Sequence, residues 1–178
     1  GEVVCEPGVV QDDLNKFLEK EGFRLGPDTS TGDRATLGGM LANNAAGARS
    51  LKFGRMVDAI LEVKLVLDGG ETLVLNEQLE NHKIFSTIQQ IRENDAGEIK
   101  KRFPSIPRRV SGYNLDELIK TPLNVSKLVA GSEGTLGLVT EMTLKIVPKL
   151  GKTSLIIAPF DNMLEGISHI EKMLALAA

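Results

Sequence analysis

The sequence has few of the residue types that most often build disulfides and metal sites. Its 178 residues include one cysteine, two histidines, one tyrosine and no tryptophan. The lone Cys5 excludes an internal disulfide, and its position after two valines favours a packed thiol over a reactive one. His82 and His169 are far apart in the sequence, so no spacing matches a zinc or haem site. We therefore expect no metal centre in this chain.

Long apolar runs and an excess of positive charge are also missing. No apolar run approaches the roughly 20 residues that cross a bilayer, and the first residues lack the basic and apolar regions of a signal peptide. We therefore expect a cytoplasmic protein without a transmembrane segment. The net charge of −3 argues against nucleic acid as a partner, while 42% hydrophobic residues suffice for about one globular domain.

The stretch 35–54 is rich in small residues and poor in side chains that fill a core. It holds Gly38, Gly39 and Gly47 among alanines and asparagines. Glycine allows positive φ and leaves no Cβ between the backbone and a ligand. Backbone that comes this close to a ligand usually meets a phosphate, a sugar or a flat ring. A tight crossing of two core segments explains the same composition equally well.

Periodicity and turn residues predict a mixture of strands and helices. The expected strands are 3–6, 57–67, 71–75, 138–147 and 154–158, and the expected helices are 11–22, one or two within 76–102, 116–120 and one starting near 161. The segments 25–33 and 131–137 have the composition of loops with exposed backbone.

Two further segments leave alternatives open. The basic residues of 100–109 could hold an anion or nucleic acid, although a solvated connector suits the acidic chain better. Tyr113, the only tyrosine, stands beside Asn114 in a segment that is either a turn with one packed aromatic ring or a loop against a ligand.

A series of motifs resembles the FAD-linked oxidase family, whose FAD-binding domain is of the PCMH type (the vanillyl-alcohol oxidase superfamily). The motifs are 6–8 (EPG), 26–28 (GPD), 36–39 (TLGG) with 43–47 (NNAAG), 53–54 (FG), Asp58 and 131–137 (GSEGTLG). Within the superfamily, the sequence most resembles the group of D-lactate dehydrogenases, glycolate oxidase flavoprotein subunits and D-2-hydroxyglutarate dehydrogenases.

The resemblance implies an α+β fold, the second subdomain of a PCMH-type FAD-binding domain, with a mainly antiparallel sheet flanked by helices. On this basis residues 1–150 form the subdomain, 76–109 are a helical insertion and 151–178 begin a C-terminal substrate (cap) domain. Both chain ends look like cut ends. We expect the N-terminal FAD subdomain and most of the cap to lie outside this segment.

The implied activity is oxidation of a small 2-hydroxy acid, with hydride transfer to N5 of the flavin. The implied cofactor is FAD, and an electron acceptor is a further partner that could hold the enzyme peripherally at the inner membrane. The insertion resembles that of large members with an iron–sulfur cluster in a C-terminal domain. No catalytic residue is placed in this segment, which we expect to be inactive alone.

Family roles can be carried over by position to three segments. The resemblance places the cofactor beside Pro27, Asp28 and Thr29, then along Thr36, Gly38, Gly39, Asn43 and Gly47, and finally against Gly131, Glu133, Gly134 and Val139. It also places Tyr113 and Asn114 in a loop near the ring system. The carboxylate of Glu133 could instead fix its own turn.

Competing interpretations remain at the level of the whole protein. Other superfamily enzymes, of the aldonolactone oxidase or alkylglycerone-phosphate synthase type, carry similar motifs. A degenerate domain that serves only protein association is a further alternative, since fold and function separate easily. The intact glycine motifs argue against such a loss of FAD.

Overall fold

The computed structural model describes residues 1–78, 82–106, 108–152 and 154–176, and none of the helices in these ranges is long and apolar enough to cross a membrane. Its strands are β1 (Glu2–Cys5), β2 (Phe23–Leu25), β3 (Ile60–Val66), β4 (Thr72–Leu75) and β5 (Leu138–Pro148). Its α-helices are α1 (Gln11–Glu19), α2 (Leu37–Ala42), α3 (Ser50–Phe53), α4 (Met56–Ala59), α5 (Lys83–Arg102), α6 (Leu115–Leu118), α7 (Met163–Ser168) and α8 (Ile170–Leu176), and a 3-10 helix covers Val125–Leu128. The α+β class with an antiparallel sheet is confirmed.

β5 is the strand that organises the sheet. The strand order is β1-β5-β3-β4, and β2 pairs with the far end of β5, all antiparallel. Leu144 of β5 lies opposite both Val3 and Ile60. Since alternate residues of a strand face the same side, Met142 and Leu144 enter the core together. The pairing brings the start of the chain beside the residues that follow segment 131–137.

The locally encoded elements are confirmed with small shifts of their ends. α1 buries Leu14 and Leu18 and is followed by Gly22 at a φ of 78°. β3 and β4 form the predicted hairpin, whose turn has Gly70 at a φ of 80°. One long helix, α5, occupies the region expected to hold one or two. The predicted insertion 76–109 also includes residues 79–81 and 107, which lie outside the described ranges.

The small-residue stretch contains a helix that periodicity did not predict. The Thr36 hydroxyl accepts a hydrogen bond from the Gly39 N–H at 3.3 Å and so caps α2. Leu37, Met40 and Leu41 of this helix are all buried. Each glycine in a helix interior costs about 1 kcal/mol relative to alanine. Burial of the apolar face therefore holds α2, against its low intrinsic propensity.

The predicted strand at 154–158 is wrong. The segment has no regular secondary structure and pairs with no other described segment, and Leu155 and Ile157 are 88% and 83% exposed. A short apolar run forms a strand only where a neighbouring segment can pair with its backbone donors and acceptors. The next helix, α7, begins at Met163 as expected, with Asn162 as its cap. Residues 153, 177 and 178 of the predicted cap segment lie outside the described ranges.

Candidate functional site

The two glycine-rich segments, far apart in the sequence, meet at one cavity of about 360 Å³. One wall consists of Pro7, Gly8, Thr36, Gly38, Gly39 and Ala42, and the other of Val129, Ser132, Gly134, Gly137, Leu138 and Val139. Five predicted site residues thus share one cavity: Thr36, Gly38, Gly39, Gly134 and Val139. The structure adds Pro7 and Gly8, for which the motif at 6–8 was the available signal.

Backbone hydrogen bonds join the two walls directly. The Gly131 N–H donates to the Leu41 carbonyl at 2.9 Å, and the Glu133 N–H donates to the Ala42 carbonyl at 3.1 Å. These carbonyls belong to the last turn of α2, where a helix offers its carbonyls no regular i+4 partners. The Leu41 carbonyl also accepts from the Asn44 N–H at 2.9 Å. Gly131, Glu133 and Gly134 all have positive φ, so the turn curls back onto the helix end. The cavity is therefore built into the fold of the chain.

A buried pair of asparagines supports the same junction. Asn44 is fully buried at a φ of 47°, and its Oδ1 accepts from the Val57 N–H at 3.0 Å. Its Nδ2 contacts Asn114 Oδ1 at 3.4 Å, and Asn114 Nδ2 donates to the Ala130 carbonyl at 2.6 Å. Asn114 is also fully buried, so its amide serves the core. Asn44 was not among the predicted site residues, although asparagine readily adopts left-handed backbone.

A second hollow, of about 290 Å³, shares Thr36 and Gly39 with the main cavity. Its lining includes Thr29 and Asn43, so two more predicted site residues adjoin the main cavity through this shared wall. Asn43 is the C-cap of α2 and is exposed, and its Nδ2 donates to the Gly39 carbonyl at 3.2 Å. One of its two amide hydrogens is thus used within the chain.

The other predicted residues lie further along the surface or act within the chain. Pro27 lines a hollow of about 270 Å³, and Gly47 lines another of about 350 Å³ with Arg108. The Asp28 carboxylate accepts from the Arg49 N–H at 3.3 Å. Within the described residues the Glu133 carboxylate has no hydrogen-bond or ion-pair partner, so the backbone and not this side chain fixes the turn.

The glycines divide into two groups when a Cβ is built on each. A Cβ would lie 2.6 Å from Pro7 Cβ at Gly38, 2.0 Å from the Asp28 carbonyl oxygen at Gly47 and 2.6 Å from the Gly112 carbonyl oxygen at Gly131. These three glycines are required by tight packing within the chain. At Gly8 a Cβ would meet no atom within 4 Å, and at Gly39 only the Thr36 hydroxyl at 3.1 Å. Packing does not explain these two, which both line the main cavity.

Positive charge lies beside the segments that carry Pro27 and Gly47. Arg49 pairs with Asp28 at 3.7 Å, and Arg108 donates to the Ala46 carbonyl at 2.9 Å. Burial, and secondarily the Arg49 guanidinium, lower the pKa of Arg24, whereas Asp28 opposes this change. In the described part of the chain, no three His, Cys, Asp or Glu side chains are close enough together to hold a metal ion.

The basic connector 100–109 and Tyr113 both make contacts within the chain. Arg109 stacks over Phe103 at 4.7 Å and pairs with Asp116, so the basic connector is fixed to the chain at this point. The Tyr113 hydroxyl lies 2.6 Å from Thr135 Oγ1, which places the only tyrosine against the turn of the second wall. Its ring is 41% exposed.

The chain is similar to one family model and to several known proteins. Residues 1–76 match the family model described as FAD binding domain. The chain is 35% identical over 167 residues to the D-2-hydroxyglutarate dehydrogenase of Escherichia coli (strain K12), covering 84% of this chain and 16% of that protein. It is 31% identical over 169 residues to a D-lactate dehydrogenase of Anaerostipes hadrus, covering 94% of this chain and 27% of that protein.

A solved structure described as alkyldihydroxyacetonephosphate synthase superposes with a TM-score of 0.52 over 83% of this chain and 19% of that one, at 24% identity. This likeness concerns the fold alone. Residues 1–76 thus match an FAD binding domain, the type of domain that the motifs predicted. The chain is related to the 2-hydroxyacid dehydrogenases, and it spans between a sixth and about a quarter of the length of the relatives named above.

Proposed function

We propose that this chain forms the FAD-contacting wall of an enzyme that oxidises a small 2-hydroxy acid of the D-2-hydroxyglutarate, D-lactate or glycolate type. The main support is the cavity in which both predicted contact segments meet. Gly8 and Gly39 leave volume open there that no other part of the described chain fills. The named activities of the relatives support the substrate class.

The residues of the cavity suit a ligand that has flat, partly apolar rings joined through a pyrophosphate. Apolar side chains such as Val129 and Val139 offer surface to a ring, while the glycines offer backbone. In this proposal the phosphates and the flavin edge lie along Thr36, Gly38, Gly39, Asn43 and Gly47. The flavin or pyrophosphate also runs beside Pro27, Asp28 and Thr29. The ribose and adenine lie against Gly131, Glu133, Gly134 and Val139. Arg49 and Arg108 add positive charge near the segments assigned to the phosphates.

When bound, FAD supplies the hydride acceptor of the reaction, N5 of its flavin. The residues of this chain bind and orient the cofactor, and none is assigned to proton transfer. We place the substrate contacts, and the base that takes the hydroxyl proton of the substrate, in the cap domain. This domain begins with residues 151–178 and lies outside the subdomain 1–150 and its insertion 76–109. An electron acceptor, and an iron–sulfur cluster in a further domain, belong to the same proposal.

Substrate reduction of the bound flavin tests the proposed function. The full-length protein, loaded with FAD, is mixed without oxygen with D-2-hydroxyglutarate, D-lactate or glycolate, and the absorbance of oxidised flavin is followed. One of the three should bleach the flavin, while the L-enantiomer of a chiral substrate serves as control. Bound FAD that none of the three acids reduces would overturn the proposed substrate class.

A further inference from the structure

Gln11 is a buried polar side chain for which neither the family motifs nor the proposed function gives a role. It is the first residue of α1 and is 1% exposed. A buried amide costs free energy unless its donors and acceptor find partners. The partners that Gln11 finds all belong to one loop.

The Gln11 amide is bonded at both ends to the loop of Pro27 and Thr29. Its Nε2 donates to the Pro27 carbonyl at 2.9 Å, and its Oε1 accepts from the Thr29 hydroxyl at 2.9 Å and from the Thr29 N–H at 3.3 Å. A carbonyl can only accept and a backbone N–H can only donate, so the partners fix the orientation of the amide. Its backbone N–H also donates to the Ala35 carbonyl at 2.9 Å. Gln11 thus holds both ends of the segment 27–35.

α1 gives this contact a rigid base. Asn15, one turn further along, accepts from the Leu25 N–H at 2.9 Å through its Oδ1. Residues four apart lie on the same face of a helix, so the two amides form one polar row beneath the loop. Leu14 and Leu18 fix the helix to the core. Thr29, at the end of this row, lines the hollow that also contains Thr36 and Gly39.

We propose that Gln11 is a positioning residue for cofactor binding, which sets the place of Pro27 and Thr29 relative to the wall formed by Thr36 and Gly39. This inference rests on the proposed function, because it assumes that the loop contacts FAD. Side chains held by packing and hydrogen bonds keep a binding site in its productive geometry. Without the amide, Pro27 and Thr29 lose their three hydrogen bonds to α1, while the backbone bonds from α1 to Gly32 and Ala35 remain.

The test compares Gln11→Met with Leu14→Ala in the full-length apoprotein. Methionine keeps the length of the side chain and removes all three hydrogen bonds, whereas Leu14→Ala removes buried packing from the same helix and leaves the three bonds in place. We expect Gln11→Met to raise the Kd for FAD about tenfold and to speed hydrogen exchange at the Thr29 amide. Leu14→Ala should lower the melting temperature but leave the Kd of the folded protein unchanged.

Gln11→Glu provides a rescue experiment. At about pH 8 its carboxylate cannot donate to the Pro27 carbonyl, and FAD binding should be weak. At about pH 5 burial favours the protonated acid, which can donate again, so its Kd should approach that of the wild type at the same pH. Equal Kd values for Gln11→Met and wild type, or unchanged exchange at Thr29, would overturn the inference while leaving the proposed function intact. A wild-type protein that binds no FAD would overturn both.

Discussion

Replacing Gly39 by alanine should stabilise the protein and weaken FAD binding at the same time. Gly39 is the third residue of α2, where alanine is favoured over glycine by up to about 1 kcal/mol. The new Cβ meets only the Thr36 hydroxyl, at 3.1 Å, which must move by a few tenths of an ångström. The net gain should therefore be at most about 1 kcal/mol, so the melting temperature of a chain of this size should rise by no more than roughly 2–4 °C.

The same Cβ enters the volume that we assign to the cofactor. A methyl group in a filled site costs about 1–3 kcal/mol, which corresponds to a Kd for FAD about tenfold or more above that of the wild type. Gly38→Ala is the comparison for the stability effect alone, because its Cβ would lie 2.6 Å from Pro7 Cβ inside the chain. Overpacking there should lower the free energy of unfolding by about 1–3 kcal/mol.

Urea unfolding of the apoproteins measures the first effect, and titration of FAD fluorescence measures the second. The reasoning would be refuted if Gly39→Ala bound FAD with the affinity of the wild type, since the ligand would then not approach Gly39. It would also be refuted if Gly38→Ala were as stable as the wild type. In that case the division of the glycines into packing and ligand positions would be wrong.

Three further predictions follow from single contacts. Asn44→Ala leaves the Val57 N–H without its buried acceptor and should lower the free energy of unfolding, measured in urea, by about 1–3 kcal/mol. Replacement of the exposed Asn43 by alanine should leave stability unchanged and weaken FAD binding. Equal stability of the two variants would contradict this prediction. Burial, and secondarily Glu141, raise the pKa of Cys5 to about 11. At about pH 8 the thiolate of Cys5 is therefore some two-hundredfold less populated than that of a free cysteine. Alkylation of Cys5 should be slow at this pH and should accelerate toward pH 11. An alkylation rate equal to that of free cysteine would contradict the raised pKa. The exposed apolar residues of α7 and α8 should make the 178-residue chain self-associate at high concentration, as sedimentation would show, and a strictly monomeric chain would contradict this.

Elements with a complete local signal could be predicted from the sequence. α1 has apolar residues at helical spacing and a glycine stop, the β3–β4 hairpin has its turn residues, and β5 alternates along its length. α2 lacked such a signal because two of its residues are glycines. Its helical state depends on burial of Leu37 and Leu41 against elements distant in the sequence, which no local pattern contains.

The candidate site could be predicted as a set of segments but not as a surface. The motifs placed Gly38 and Gly39 in one group, yet the first packs against Pro7 and the second faces open volume. Likewise, Asn43 is exposed while the adjacent Asn44 is the buried one. Neighbouring residues of the same type differ here because their surroundings come from other segments, and only the fold brings those segments together.

The most direct test of the central claim is a flavin titration of the full-length apoprotein, with FMN as the control ligand. FMN carries the flavin without the adenine half that we assign to Gly131, Gly134 and Val139. The proposed site predicts saturable FAD binding with a Kd about tenfold or more below that for FMN. An apoprotein that binds no FAD would contradict the central claim, and equal affinity for FAD and FMN would contradict the assignment of the second wall.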